Sequence, residues 1–156
     1  MAHSFERPEA RRLLAAARVG RMATVDAGGT PHVLPFTFVL REETIYWAVD
    51  RKPKRSTRLR RLEHIARNPQ VEVLVDRYEE DWTALWWVRV RGRARVVGDD
   101  EEAELGLRLL AEKYPQHRDA PPPGPVVAVE IEAWSSWAAG PKTGSHVRGP
   151  HDRRPR

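Results

Sequence analysis

Cationic side chains are concentrated in residues 50–69, where they could bind an anion. This basic stretch carries eight lysines and arginines against two acidic residues, a local charge of +6. A short β-branched and aromatic run, residues 44–49, precedes it, and apolar residues at helical spacing occur within residues 54–67. The chain is therefore predicted to pass from a strand through a tight loop into a helix, whose first N–H groups can bind anions.

The position of these cations favours an anion site. Acidic side chains stabilise the first turn of a helix, so Lys54 and Arg55 there would each cost about 0.3–1 kcal/mol unless an anion lies opposite them. Charge runs are more often a solvated helix face, and that alternative stays open for Lys52, Lys54, Arg55 and Arg58.

The charge of the remaining chain argues against nucleic acid as the main partner. The whole chain carries +5, of which residues 146–156 contribute +3. Setting aside that tail and the +6 of the basic stretch leaves −4 on everything else. A discrete anionic ligand suits this distribution better than a polyanion, which needs many phosphate contacts.

Several chemistries lack the residues they need. The chain has no cysteine, and its six histidines show no metal-ligand spacing, so we expect no metal site. Neither Gly-rich phosphate motif occurs, and no serine has a nucleophile-elbow context, so no catalytic residue can be named. His32 and His64 stay open as site residues against the commoner surface role.

No segment of the sequence is predicted to contact a membrane. No apolar run approaches the ~18 residues that a span needs, and the N-terminus lacks the apolar core of a signal peptide. Together with the absence of cysteine, these features predict a soluble cytoplasmic protein.

The elements predicted along the chain indicate one mainly β domain, residues 1–139, followed by a disordered basic tail, residues 140–156. Pro31 and Pro35 place the second strand at a sheet edge or break it near Pro35. Six strands in hairpin-like succession with inserted helices predict a small antiparallel β-barrel with peripheral helices. The predicted strands are residues 21–25, 30–40, 44–49, 71–76, 82–97 and 126–133, and the helices are 8–18, 54–67 and 99–114.

The fifth predicted strand, residues 82–97, has two different faces. One face is apolar from Ala84 to Val96 and is predicted to lie in the core. The other carries a basic stripe of Arg89, Arg91, Arg93 and Arg95, headed by Trp87. Trp47 and Trp86 are predicted core residues, whereas Trp82 and Trp87 could line a pocket.

Four segments together resemble the pyridoxamine 5′-phosphate oxidase-like split β-barrel family, over roughly residues 8–137. Within that family the chain is most similar to the actinobacterial branch that uses the deazaflavin coenzyme F420. The segments are GRMATVDAGGTPHVLPFTF, DRKPKRSTRLRRL, VEVLVD and EEDWTALWWVRVRGRARV.

This resemblance implies a six-stranded antiparallel split β-barrel of the FMN-binding type and a homodimer with two sites at the subunit interface. The deazaflavin ring would contact the backbone of Leu34, Pro35, Phe36 and Thr37. Trp82 would reach the site from the second chain. The phosphate and acidic tail would be held by Asp50, Lys52, Lys54 (the central lysine), Arg55, Ser56 and Thr57, with Arg58 as an alternative to Thr57.

The activity that the resemblance implies is an F420-dependent oxidoreductase. The cofactor would pass a hydride to a small organic acceptor, while the protein supplies orientation and electrostatics. Two alternatives stay open: an FMN-dependent oxidase or reductase of the same fold, and a barrel that binds a cofactor or nucleic acid without catalysis. The basic stripe could extend the groove for the tail or pair with acidic residues across the dimer.

Overall fold

The computed structural model describes residues 1–49 and 57–141, with the backbone alone for residues 57–59. The predicted basic tail lies outside the described residues from residue 142 onward. None of the described helices is long and apolar enough to cross a membrane. The helices are α1 (Arg7–Ala16), α2 (Thr57–Arg67), α3 (Asp100–Lys113) and α4 (Pro115–Asp119), and the strands are β1 (Gly20–Val25), β2 (Pro31–Phe36), β3 (Val39–Arg41), β4 (Thr44–Ala48), β5 (Gln70–Arg77), β6 (Trp86–Val96) and β7 (Val126–Ala138).

The described strands form one antiparallel sheet in the order β2-β1-β5-β6-β7-β4-β3. The two edge strands, β2 and β3, are consecutive in the chain and are separated only by Thr37 and Phe38. So short a connection brings the two edges together, so the sheet must curl into the predicted split barrel. The segment predicted as one strand, residues 30–40, is therefore two strands, and the described sheet has seven strands rather than six.

The core fills the inside of this curled sheet, so buried and exposed residues alternate along its strands. Alternate residues of β5 and β6 are buried, as a half-buried strand requires. The fully buried side chains include Trp47, Phe38, Leu14 and Met22. The burial of Trp47 confirms its predicted core position. Trp86, predicted for the core as well, is only partly buried and packs against the same core.

Residues 82–97 differ from the single strand predicted for them. Residues 82–84 form a 3₁₀ turn, because the Asp81 carboxylate accepts hydrogen bonds from the Thr83 backbone N–H and hydroxyl. The predicted core face of this segment also extends as far as Val96, but Val96 is 47% exposed at the end of β6. The strand itself begins only at Trp86.

β7 is longer than predicted because it pairs with β6 along its whole length, from Val127 to Ala138. Trp134 and Trp137 therefore lie within the strand rather than after it. A bulge at Glu132 shifts the register opposite Arg91 and Gly92. A Cβ atom on Gly92 would lie 2.4 Å from the carbonyl oxygen of Glu130, so this close approach requires glycine.

Candidate functional site

The interrupted edge strand is the segment that sequence analysis assigned to the cofactor ring. β2 pairs with β1 on one side only, so about half of its backbone groups face an open edge. The strand stops after Phe36, which is buried, while Pro35 and Thr37 are exposed. Leu34, which precedes Pro35, is half-buried. The structure thus confirms the predicted edge position and places the break one residue beyond Pro35.

Tyr114, which sequence analysis did not nominate, holds this break in place. Its hydroxyl accepts a hydrogen bond from the Phe38 N–H at 3.2 Å and can donate to the carbonyl oxygen of Phe38 (3.1 Å) or of Arg18 (2.9 Å). Burial of this phenol raises its pKa. Because Tyr114 accepts from the Phe38 N–H and its hydroxyl also lies within hydrogen-bond distance of the Phe38 carbonyl, the chain can leave the sheet here without an unpaired buried N–H.

α2 is fixed against the same strand by a buried arginine. Arg61 is only 3% exposed, and its Nη2 donates to the carbonyl oxygen of Pro35 at 3.4 Å. Its guanidinium carbon lies 5.3 Å from the centre of the Trp47 ring, within cation–π range. The sequence does offer a signal for this residue, since Arg61 shares a helix face with the buried Ile65 four residues later.

The residues predicted to hold the phosphate and acidic tail fall mainly outside the described part of the chain. Asp50, Lys52, Lys54, Arg55 and Ser56 all lie there. Thr57 is the first residue of α2, and the side chains of Thr57 and Arg58 are likewise not described. These six site residues and the alternative, Arg58, therefore stay predictions. The helix predicted to follow them is present.

A wide apolar groove of about 550 Å³ lies on the outer face of β1, β5 and β6. The indole rings of Trp86, Trp87 and Trp137 line it, together with Ala23 and Leu74. Trp87 thus lines a pocket, which is the role that the sequence suggested for it. Trp82 is 67% exposed and is not among the described residues that line this groove.

Three arginines of the basic stripe, Arg89, Arg93 and Arg95, pair with carboxylates of the same chain. Arg95 donates to Glu102 at 2.6 and 3.0 Å and to Glu130 at 3.2 Å. The hydrogen bond from Arg95 lowers the pKa of the Glu102 carboxyl. Arg93 lies 3.9 Å from Glu132, and looser pairing at 4.0 Å links Arg89 to Glu72. These ion pairs lie within one subunit, so they need no partner chain.

Comparison with known proteins identifies the fold. Over residues 7–138 the chain matches the sequence model of the pyridoxamine 5′-phosphate oxidase family. It is similar to an FAD-binding protein from Mesorhizobium loti, with 24% identity and a TM-score of 0.70 over 90% of this chain and 99% of that one. No curated protein matches the chain.

Two further solved structures share the fold. An FAD-binding protein from Mycobacterium smegmatis has 20% identity and a TM-score of 0.59, over 86% of this chain and 96% of that one. HutZ, the heme storage protein from Vibrio cholerae, has 20% identity and a TM-score of 0.65, over 82% of this chain and 92% of that one. The predicted resemblance is thus confirmed for the family, whereas the F420 branch stays a prediction. The chain belongs to the pyridoxamine 5′-phosphate oxidase family.

Proposed function

We propose that this protein is an oxidoreductase that binds a flavin-type cofactor, with the deazaflavin coenzyme F420 as the cofactor that its charge favours. The observation that carries the proposal is the break between Phe36 and Val39, held by Tyr114 and by Arg61 of α2, the helix within the basic stretch. Family membership and the likeness to two FAD-binding proteins support a ring of the flavin type.

The open edge of β2 fits the polar rim of such a ring. In an antiparallel edge strand, alternate residues turn both their N–H and C=O groups to the open side, and Thr37 lies beyond the last residue that pairs with β1. These groups suit the alternating carbonyl and N–H groups of a pyrimidine-like ring edge. The bound cofactor would supply the hydride chemistry, and the chain would orient it.

The basic stretch would hold the anionic tail. Asp50, Lys52, Lys54, Arg55, Ser56 and Thr57 are the residues proposed for it, and Lys54 is the central cation. The seven basic residues of this stretch other than the buried Arg61 exceed what one phosphate requires, which favours a cofactor with several anionic groups, such as F420, over FMN. FMN remains the alternative, because the solved relatives include flavin-binding proteins.

We also propose a homodimer in which each site is completed by the second subunit. The outer groove is apolar, and the large side chains exposed on the described surface include Val33, Tyr78 and Trp82. Apolar surface of this kind on a small domain is typical of an interface. Trp82 would then lie against the cofactor bound by the other subunit.

Titration of the purified full-length protein with F420 and separately with FMN, followed by cofactor fluorescence, tests this function. We expect saturable binding of F420, and we expect Lys54→Ala to weaken it by about 1.5–3 kcal/mol, as for a lost hydrogen bond to a charged group. Arg118→Ala, at an exposed position of α4, is the matched control and should bind like wild type. Binding of FMN with none of F420 would overturn the F420 assignment, and binding of neither would overturn the function.

A further inference from the structure

A small cavity of about 110 Å³ lies between α2 and the inner side of the β1–β2 hairpin. Nitrogen-bearing side chains dominate its polar lining, and none of the described residues that line it is acidic. The polar side chains are His32 from β2, Arg60, Arg61 and His64 from α2, and Thr24 from β1. The cavity is therefore a cationic pocket within the fold.

Each of the two histidine rings is oriented by a hydrogen bond to one neighbouring side chain. Nε2 of His32 lies 3.0 Å from a carboxylate oxygen of Asp26, and Nδ1 of His64 lies 3.0 Å from the Thr24 hydroxyl. The centres of the two rings are 4.5 Å apart. Within the described part of the chain, the second nitrogen of each ring makes no hydrogen bond.

Asp26 keeps His32 in position. Its carboxylate also accepts from the backbone N–H groups of Gly28 and Thr30, at 2.9 and 3.0 Å. The bond to His32, followed by the bond from Thr30, lowers the pKa of the Asp26 carboxyl, which is therefore ionised at neutral pH. An ionised carboxylate on Nε2 favours a proton there and stabilises the imidazolium form, in which Nδ1 also carries a proton that it can donate to an anion.

The helix geometry separates this pocket from the basic loop, the loop predicted over residues 50–56. Arg61 and His64 lie four and seven residues after Thr57, about 6 and 10 Å along the axis of α2 at 1.5 Å per residue. The residues proposed to hold the cofactor tail all precede or begin this helix. The pocket is thus a distinct feature further along the same helix, under the half-buried Leu34.

We propose that this pocket binds a small oxyanion, a phosphate or carboxylate group, through His32, His64 and Arg60. Its volume matches about three or four water molecules at ~30 Å³ each, which is enough for one such group. Arginine and imidazole donors are the side chains that bind oxyanions most directly. The anion can belong to the cofactor tail or to the acceptor substrate, and that identification rests on the proposed function, whereas the pocket itself does not.

Titration of the full-length protein with inorganic phosphate, followed by the histidine Hε1 resonances in ¹H–¹³C NMR spectra, tests the proposal. His32→Gln and His64→Gln assign the two resonances. We expect both to shift saturably with phosphate. His64→Gln should weaken phosphate binding about tenfold, the loss of one charge-assisted hydrogen bond. Arg60→Gln, at an exposed position, should weaken it about two- to fivefold. The control Arg91→Gln should leave the affinity unchanged.

The outcomes separate this pocket from the basic loop. Unshifted His32 and His64 resonances would overturn the proposal. So would an affinity that Lys54→Ala abolishes while Arg60→Gln and His64→Gln leave it intact, because the phosphate would then occupy the loop. If saturating cofactor displaces phosphate from the pocket, the anion is part of the cofactor; if both bind together, it belongs to the acceptor. A protein that binds no cofactor but shows the histidine shifts would refute the proposed function and support the pocket.

Discussion

Lys113 at the end of α3 is expected to destabilise the folded protein at neutral pH. Its Nζ atom is buried without a hydrogen-bond partner in the described structure, and lies 4.3 Å from the centre of the Phe38 ring. Desolvation, with a smaller contribution from the charge of Arg18, lowers the pKa of this ammonium from 10.5 to about 8. We predict that Lys113→Met makes the protein more stable at pH 7.

The magnitude follows from three contributions. A shift from 10.5 to about 8 corresponds to roughly 3.4 kcal/mol at 1.36 kcal/mol per pH unit. Since the side chain is only partly buried, solvent screening reduces this to about 1.5–2 kcal/mol. The cation–π contacts with Phe38 and Tyr114 offset about 0.5–1 kcal/mol of that cost. The expected gain for Lys113→Met is therefore about 1 kcal/mol.

The pH dependence of the stability difference distinguishes a buried charge from a change in packing, because packing does not depend on pH in this range. Between about pH 8 and 10.5 the unfolded chain binds more protons at Lys113 than the folded chain, so wild-type stability rises with pH relative to Lys113→Met. The advantage of Lys113→Met should be largest below pH 8 and shrink towards pH 10.5. Urea unfolding followed by tryptophan fluorescence at pH 7 and 10.5 measures it. A stability difference that does not change with pH, or a less stable variant at pH 7, would refute the reasoning.

Two further substitutions test the break and the bulge. Tyr114→Phe should lower the free energy of unfolding by about 1–3 kcal/mol, because the buried Phe38 N–H loses its acceptor. Thermal or urea unfolding checks this, with Tyr78→Phe at an exposed position as the control, and equal stability of the two variants would contradict the role of Tyr114. Gly92→Ala should cost about 1–3 kcal/mol, as expected for overpacking against the Glu130 carbonyl. Gly98→Ala, whose Cβ would meet nothing within 4 Å, should differ little from wild type, and similar losses in both variants would argue against the close approach.

The edge strand was predictable from the sequence because proline has local consequences. Pro31 and Pro35 lack backbone donors, and this alone placed their strand at an edge or a break. The seventh strand was not predictable, since nothing local says that the chain leaves one edge at Thr37 and joins the opposite edge at Val39. That step depends on Tyr114, 76 residues away from Phe38 in the chain, and on the closing of the sheet.

Side-chain partners set the limits of prediction elsewhere in the site. The helix within the basic stretch was predicted from its periodicity. The spacing of Arg61 from Ile65 is a signal for its inward position, but seven other basic residues in the same stretch make that signal hard to single out. The alternation along β6 predicted its two faces correctly over most of the strand. It could not reveal that Arg95 binds Glu102 and Glu130, because those partners come from α3 and β7.

Amide hydrogen exchange with and without cofactor tests the central claim most directly. If the cofactor ring lies against the interrupted edge strand, saturating F420 should slow exchange within residues 33–37, above all at the amide of Thr37, which lies beyond the residues that pair with β1. Exchange at the amides of β3 residues Val39 and Leu40 should change less. Protection confined to other elements, with residues 33–37 exchanging as in the free protein, would contradict the account.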